Sequence, residues 1–235
     1  MAPDRRIALA AFAFAAALGL HAASSAAPAS SSSASSSSAS KSAPAPVKDA
    51  AGAPSPAPSG KVSLAPEEVM GDPKAKVTVV EYASAACPHC ARMNNDVLPQ
   101  LKKAYIDTGK VKYVFREMLT DPVPFAGTAF MMARCGGDKN YFALLDDVFH
   151  QQQAIYESGD LPGGLLKIGA KYGLDENKID ACMGDDAIKA LNDRVARAGK
   201  DGVDSTPTFL IGDDKLIGER SYEELAAAID KQLAK

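Results

Sequence analysis

Lys76-Val77-Thr78-Val79-Val80-Glu81-Tyr82-Ala83-Ser84-Ala85-Ala86-Cys87-Pro88-His89-Cys90 decides how the rest of the chain is read. Its first eight residues are a β-branched run after the turn signal Gly71-Asp72-Pro73, which reads as a buried strand. A helix is expected to begin near Cys87–Pro88, because proline at the first helical position lacks an N–H that would have had no partner there. Met93, Val97, Leu101, Ala104 and Tyr105 keep a helical spacing down to Gly109, an expected C-cap, and Pro99 inside that pattern predicts a kink. Val111–Met118 reads as a second strand. Strand–helix–strand over this length predicts a right-handed crossover with the two strands parallel.

From Asp121 to Gly202 the signals are helical, with breaks expected at Gly136-Gly137, Ser158–Gly164 and Gly173. Tyr141, Leu144, Leu145, Val148 and Phe149 make one apolar stripe, and Ile188, Leu191 and Val195 another; both read as helix-packing core. The pattern then returns to β. Thr206–Gly212 and Lys215–Gly218 flank Asp213-Asp214, a hairpin signal. Ser221, with Glu224 three residues later, reads as a capping box opening a helix over Tyr222–Leu233. The order is α/β: a single layer (61–119 and 202–235) split by an all-helical insertion (120–201).

Outward from the folded part, the N-terminal region has a different composition. Arg5 and Arg6 precede a charge-free run, Ile7–Leu20, followed by small residues, the order of a secretory signal, expected over 1–23. From Ser24 to Gly60, Ala, Ser and Pro fill 31 of 37 positions. That is too little bulky apolar surface to offset conformational entropy, so 24–60 is expected to be a disordered linker. The charge-free run is short of the roughly 18 residues that suggest a spanning helix; an uncleaved anchor, with 24–60 as its tether, is the alternative. No Cys precedes residue 87, so a lipid anchor on an N-terminal cysteine is not expected. Residues 61–235 carry 22 Lys and Arg against 27 Asp and Glu, which argues against nucleic acid as a partner.

Four cysteines lie in this chain, two of them as Cys87-Pro88-His89-Cys90. A Cys-x-x-Cys at a strand–helix junction is a redox signal. At the helix N-terminus, unpaired N–H groups and the dipole favour a thiolate at Cys87. Three residues of helix bring Cys90 beneath it, close enough for a disulfide. A stabilised thiolate favours the reduced form and makes the disulfide a strong electron acceptor. His89 is expected within reach of Cys87, adding a donor or a positive charge. A purely structural bridge of this separation would crosslink almost no chain. A zinc site wants a second Cys/His pair at short spacing, which Cys135, His150 and Cys182 do not form. No metal ligands are assigned. Cys135 and Cys182 are expected as a structural disulfide in an oxidising compartment, with two buried thiols as the alternative.

The segment Val79–Cys90, with its Cys-Pro-His-Cys, resembles the active-site segment of the DsbA family of periplasmic thiol-disulfide oxidoreductases. Gly202-Val203-Asp204-Ser205-Thr206-Pro207-Thr208-Phe209 resembles that family's loop carrying a cis-proline. The resemblance implies a thioredoxin-like fold with an inserted helical domain, with Cys87 as the solvent-exposed nucleophile and Cys90 as the buried resolving thiol. It implies Pro207 as the cis-proline, with Thr206 presenting backbone groups to an extended substrate peptide. Glu81 matches a buried acid under the active site, a candidate proton relay for Cys90; a solvated strand-end glutamate is the alternative. Two positions depart from the pattern. Thr206 stands where the best-known oxidases carry Val and the related isomerases Thr, and Asn94 stands where some members carry an acid. An isomerase of the dimeric kind also needs an N-terminal dimerisation domain, for which Lys61–Ala75 is too short, so a monomer is expected.

The function read from these residues is an exported thiol-disulfide oxidase that carries electrons on its own disulfide without a separate cofactor. Its expected partners are reduced or unfolded secreted polypeptides and, by resemblance, a quinone-linked membrane oxidase of DsbB type that re-oxidises it. The periplasm or the exterior is the expected location. The alternatives are a thiol reductase or isomerase, which Thr206 and the spacer suggest, and a module holding copper between Cys87 and Cys90.

Overall fold

The structure, a computed structural model, describes residues 67–235; the expected signal peptide, the linker and residues 61–66 lie outside the described residues. Among the described residues, five strands form one sheet in the order β1-β3-β2-β4-β5. Strand β2 (Val77–Ala83) is central and pairs parallel with β3 (Val111–Glu117). Both are buried along most of their length, as a continuous apolar run requires when both faces of a sheet are covered. Val77, Val79, Glu81 and Ala83 face the larger core, while Val80 and Tyr82 face a smaller one with Leu210, Ala198 and Val203. β4 (Thr208–Ile211) lies antiparallel on the other side of β2, and β5 (Asp214–Ile217) completes the hairpin. At the opposite edge, β1 (Glu68–Met70) pairs antiparallel with β3. The sequence reading missed β1, because three residues are too short a run to show a period.

Residues 88–106 form the crossover. Helical turns α1 (Pro88–Arg92) and α2 (Leu98–Leu101) alternate with π-helical turns at Met93–Val97 and Lys102–Ile106. The predicted disturbance at Pro99 takes this form. Proline cannot donate to the carbonyl four residues back, and the wider turn before it, closed by Leu98 N–H donating to Met93 C=O, relieves the clash. Gly109 ends the run in the left-handed conformation that a glycine C-cap adopts (φ 73°).

Between β3 and β4 lie six helices: α3 (Val123–Cys135), α4 (Tyr141–Ser158), α5 (Leu161–Lys171), α6 (Glu176–Ala181), α7 (Asp185–Val195) and α8 (Arg197–Lys200). This is a thioredoxin-like α/β fold carrying a helical insertion. The stripe Tyr141, Leu144, Leu145, Val148 and Phe149 is fully buried, as expected. The second stripe is corrected: Leu191 is buried, but Ile188 is 43% exposed. The break expected over Ser158–Gly164 is also shorter, because Asp160 caps α5 through the Gly163 N–H and the helix restarts at Leu161. The hairpin turn shifts by one residue. Ile211 pairs with Asp214, so the turn is Gly212-Asp213, with Gly212 supplying the positive φ (59°). Helix α9 (Tyr222–Leu233) opens on a complete capping box between Ser221 and Glu224.

The insertion is joined to the sheet by buried charge. Glu117, at the end of β3, accepts from Arg134 Nε (2.7 Å), Arg194 Nε (2.5 Å) and the Tyr141 hydroxyl (3.0 Å), and Arg134 also reaches Glu68 (2.7 Å). Each charge in this cluster has an opposite partner, which is the condition for tolerating it in a core. A disulfide joins Cys135, at the end of α3, to Cys182, the C-cap of α6, across 47 residues. A loop of that length confines the unfolded chain by ~4 kcal/mol in the entropy model. Replacing both Cys135 and Cys182 by Ala is expected to lower the unfolding free energy by about 2–4 kcal/mol in urea titration, with thiol exchange at Cys87 retained; an unchanged midpoint would contradict this.

Candidate active site

The segment linking β2 to α1 is held from three directions. The Ser84 carbonyl accepts from Cys87 N–H (3.1 Å), and the Ser84 hydroxyl accepts from the N–H groups of Ala86 and Thr120 (3.2 Å each). Two side chains of α4 reach the same segment. Buried Gln152 donates to the Ala85 carbonyl (2.7 Å), and the Tyr156 hydroxyl donates to the Ala86 carbonyl (3.0 Å). Every carbonyl of Ser84-Ala85-Ala86 therefore has a donor, so the backbone entering Cys87 is fixed.

Cys87 is the N-cap of α1, with Pro88 in the first helical turn. Cys87 and Cys90 are both free thiols, 8% and 1% exposed; the expectation of a solvent-exposed Cys87 is corrected, since the cis-proline loop at Thr206 packs against its sulfur. The Cys87 thiol lies far down the acid scale, lowered from 9.0 to about 5. The largest cause is the Cys90 thiol donating to it; burial opposes; a side-chain hydrogen bond from Thr206 and the backbone N–H groups of Cys90 and His89 add to the lowering. This order corrects the emphasis of the sequence reading, which put the helix amides and the His89 ring first. What reaches Cys87 from His89 is its backbone N–H. The His89 ring instead meets Glu219, with Nδ1 2.9 Å from Oε2. Cys90 moves the opposite way, well above 9.0, chiefly through burial, then through its bond to Cys87 and the charge of Glu81.

The peptide bond Thr206–Pro207 is cis and sits against this pair, with the Cys87 sulfur 3.6 Å from the Thr206 carbonyl oxygen. Pro207 is buried and Thr206 half-buried. Below the pair, Glu81 is 6% exposed and accepts a short hydrogen bond from the buried Tyr113 hydroxyl. Burial raises the Glu81 carboxyl to about 7, against the lowering bond from Tyr113, and the charge at Cys87 raises it further. The alternative of a solvated strand-end glutamate is therefore corrected, since the alternation along β2 puts residue 81 on the buried face that Val77, Val79 and Ala83 share. Above the pair, the Glu219 carboxylate accepts from Arg92 Nε (3.0 Å) and Nη2 (2.8 Å). Asn94, the other departure noted in the sequence, donates to Asp146 on α4 (2.8 Å).

Sequence reasoning did not find Tyr113, Thr120, Gln152, Tyr156 or Glu219. Tyr113 alone had a signal, since Val111, Tyr113 and Phe115 alternate onto one face of the predicted second strand. The others arrive through tertiary packing from residues far along the chain. Among the described residues, no group of three or more His, Cys, Asp or Glu side chains converges in a way that could hold a metal ion.

Residues 64–231 match a family model described as Thioredoxin. The solved structure of Wolbachia pipientis alpha-DsbA1 is similar at a TM-score of 0.64 and 30% identity, over 73% of this chain and 93% of that one. The chain belongs to the DsbA family. Oxidised BdbD of Bacillus subtilis shares the fold at a TM-score of 0.64 and 22% identity, over 72% of this chain and 94% of that one. A Rickettsia conorii relative, named for an inferred protein-disulfide oxidoreductase activity, is 35% identical over 170 residues. That match takes in 70% of this chain and 60% of the relative's own length.

The thiol asymmetry has a measurable consequence for this DsbA-family domain. In the reduced protein the folded Cys87 value, about 5, lies below the unfolded value of 9.0. The stabilising contribution is therefore complete above pH 9 and is lost as pH falls towards 5, at about 1.4 kcal/mol per unit. Glu81 has the opposite sign: its raised value costs stability as pH rises from 4.5 to about 7. It does so in both redox forms and largely cancels when they are compared. The melting temperature of the reduced form minus that of the oxidised form is expected to climb between pH 5 and 9 and to flatten below 5. A difference independent of pH would refute the thiolate.

Proposed function

We propose that the chain is an exported protein thiol-disulfide oxidoreductase working as a dithiol oxidase through Cys87 and Cys90. The observation that carries this reading is the opposed behaviour of the two sulfurs, one held as an anion and its neighbour kept protonated in the core. In the oxidised protein a substrate thiolate attacks the Cys87 sulfur, and the Cys87–Cys90 bond breaks with its electron pair going to Cys90. That sulfur is a poor leaving group unless protonated, and the Glu81 carboxyl, at about 7, holds a transferable proton at neutral pH. A second substrate thiolate then attacks the substrate sulfur of the mixed disulfide. Cys87 leaves as a thiolate without needing a proton, because its acidity makes it a good leaving group. The substrate has lost two electrons, and Cys87 and Cys90 have gained them.

The cis Thr206–Pro207 bond leaves backbone groups beside Cys87, suited to pairing with an extended segment of a reduced secreted polypeptide. Re-oxidation requires an electron acceptor, for which a quinone-linked membrane oxidase is the proposed partner. The proposed compartment is the periplasm or the exterior, supported by the arginine-led apolar run Ile7–Leu20. No helix among the described residues is long and apolar enough to cross a membrane. The second reading, a reductase or isomerase, is favoured by Thr206 itself, the residue that the related isomerases carry there.

Equilibration with glutathione separates the two readings. The oxidase reading expects a potential well above the roughly −270 mV typical of thioredoxin; a value at or below it would move the assignment to the reductase. Glu81→Gln is expected to slow the first exchange on the order of 100-fold and to remove its pH dependence near neutrality, in stopped-flow reaction with a dithiol peptide. Retention of both the rate and the profile would remove Glu81 from the mechanism.

A further inference from the structure

Arg92 and His89 both project from α1, the helix turn that bears Cys87 and Cys90. A guanidinium and an imidazole in that place favour a thiolate through space. Both, however, converge on one carboxylate. Glu219 Oε1 and Oε2 lie 3.0 and 3.1 Å from Arg92 Nε, Oε2 lies 2.8 Å from Arg92 Nη2 and 2.9 Å from His89 Nδ1, and Arg92 Nη2 is 2.6 Å from His89 Nδ1. Glu219 comes to this place through the backbone. It lies two residues past the end of β5, and the intervening Gly218 N–H donates to the Pro207 carbonyl (2.8 Å), tying that loop to the cis-proline. The neighbouring Arg220 is engaged elsewhere, with Glu224 (3.2 Å) and the Ile217 carbonyl (2.5 Å). Asp96 also acts on Arg92, and Glu81 and Tyr156 face Cys87 from the core and from α4.

We propose that Glu219 is a positioning residue that holds Arg92 and His89 in a neutralised cluster at the mouth of the site, and so moderates how oxidising the Cys87–Cys90 disulfide is. This role of Glu219 rests on the thiol-disulfide reading of the site and extends it to a group 129 residues further along the chain than Cys90. Its sign follows from charge alone. Removing the carboxylate deletes a negative neighbour of the thiolate and releases two groups that favour it, and both effects stabilise the reduced form. The cluster is partly exposed, so water and salt screen it and the effect is a modest one.

The test uses the full chain with Glu219→Gln, Arg92→Gln and the double substitution. Thiolate absorbance against pH gives the acidity of Cys87, and the glutathione equilibrium gives the potential; the melting temperature of each oxidised variant registers any purely structural loss. Glu219→Gln is expected to make Cys87 more acidic and to shift the equilibrium about two- to five-fold towards the reduced protein. Arg92→Gln is expected to shift both the other way, and the double variant to fall between them. Unchanged acidity, or both single variants moving in the same direction, would overturn the assignment of Glu219 while leaving the site's chemistry standing. If the unsubstituted protein itself does not exchange with glutathione, the thiol-disulfide reading fails first, and this inference with it.

Discussion

A hydrogen bond from the Cys90 thiol to the Cys87 sulfur works only if the two sulfurs, three residues apart, ionise in opposite directions. The donor must keep its proton and the acceptor must lose its own. Burial alone would raise both, so something has to act on one sulfur and not the other. The end of a helix provides that difference. Cys87 stands at the N-cap, where the N–H groups of His89 and Cys90 have no carbonyl to pair with, whereas Cys90 lies one turn in and in the core. Thr206 adds a donor from across the sheet. Once the charge is on Cys87, it discourages ionisation of Cys90 and of Glu81 beneath it, so the asymmetry reinforces itself.

The rest of the structure reads as the means of holding that helix start in place. Its entry is fixed by Gln152 and Tyr156, both from the insertion, so α4 acts on the active site as directly as the sheet does. Tyr156 senses the site in turn: burial and the charge at Cys87 push its phenol to about 12. The insertion is itself anchored at Glu117, which takes charge-assisted bonds from α3 and α7 at the end of the strand parallel to β2. A continuous line of packed contacts and buried bonds thus runs from the Glu117 cluster through α4 to the backbone of Cys87.

Much of this was legible in the chain. The β-branched run Val77–Val80, the proline after Cys87 and the capping box at Ser221 each act within a few residues, and each specified its element. Local signals cannot carry what packing decides. Ile188 sat on a helical stripe, but only Leu191 and Val195 of that stripe pack on the core, and Ile188, a turn before Leu191, is left to solvent. The turn at Gly212-Asp213 depended on a one-residue register that Asp213-Asp214 mimicked. At the site, the two thiols were marked by motif, and the cis-proline and Glu81 by the resemblance to the DsbA family. The direction of the His89 ring was not, because the carboxylate that captures it lies beyond β5, and no spacing in the sequence links positions 89 and 219.

The electrostatics of the site are best understood as a contest between donors and carboxylates. Each hydrogen bond aimed at Cys87, whether from Cys90, Thr206 or the helix amides, stabilises the reduced form and makes the disulfide more oxidising. Each negative charge near it does the reverse: Glu81 when ionised from below, and Glu219 from above. Seen this way, Thr206 is not simply a mark of an isomerase, for its side chain contributes a donor that valine would lack. Its effect on the potential and its effect on which peptides pair with the cis-proline are separate properties of one residue. The poise of the disulfide follows from the sum over the whole set of neighbours, and the residue before the proline supplies only one of them.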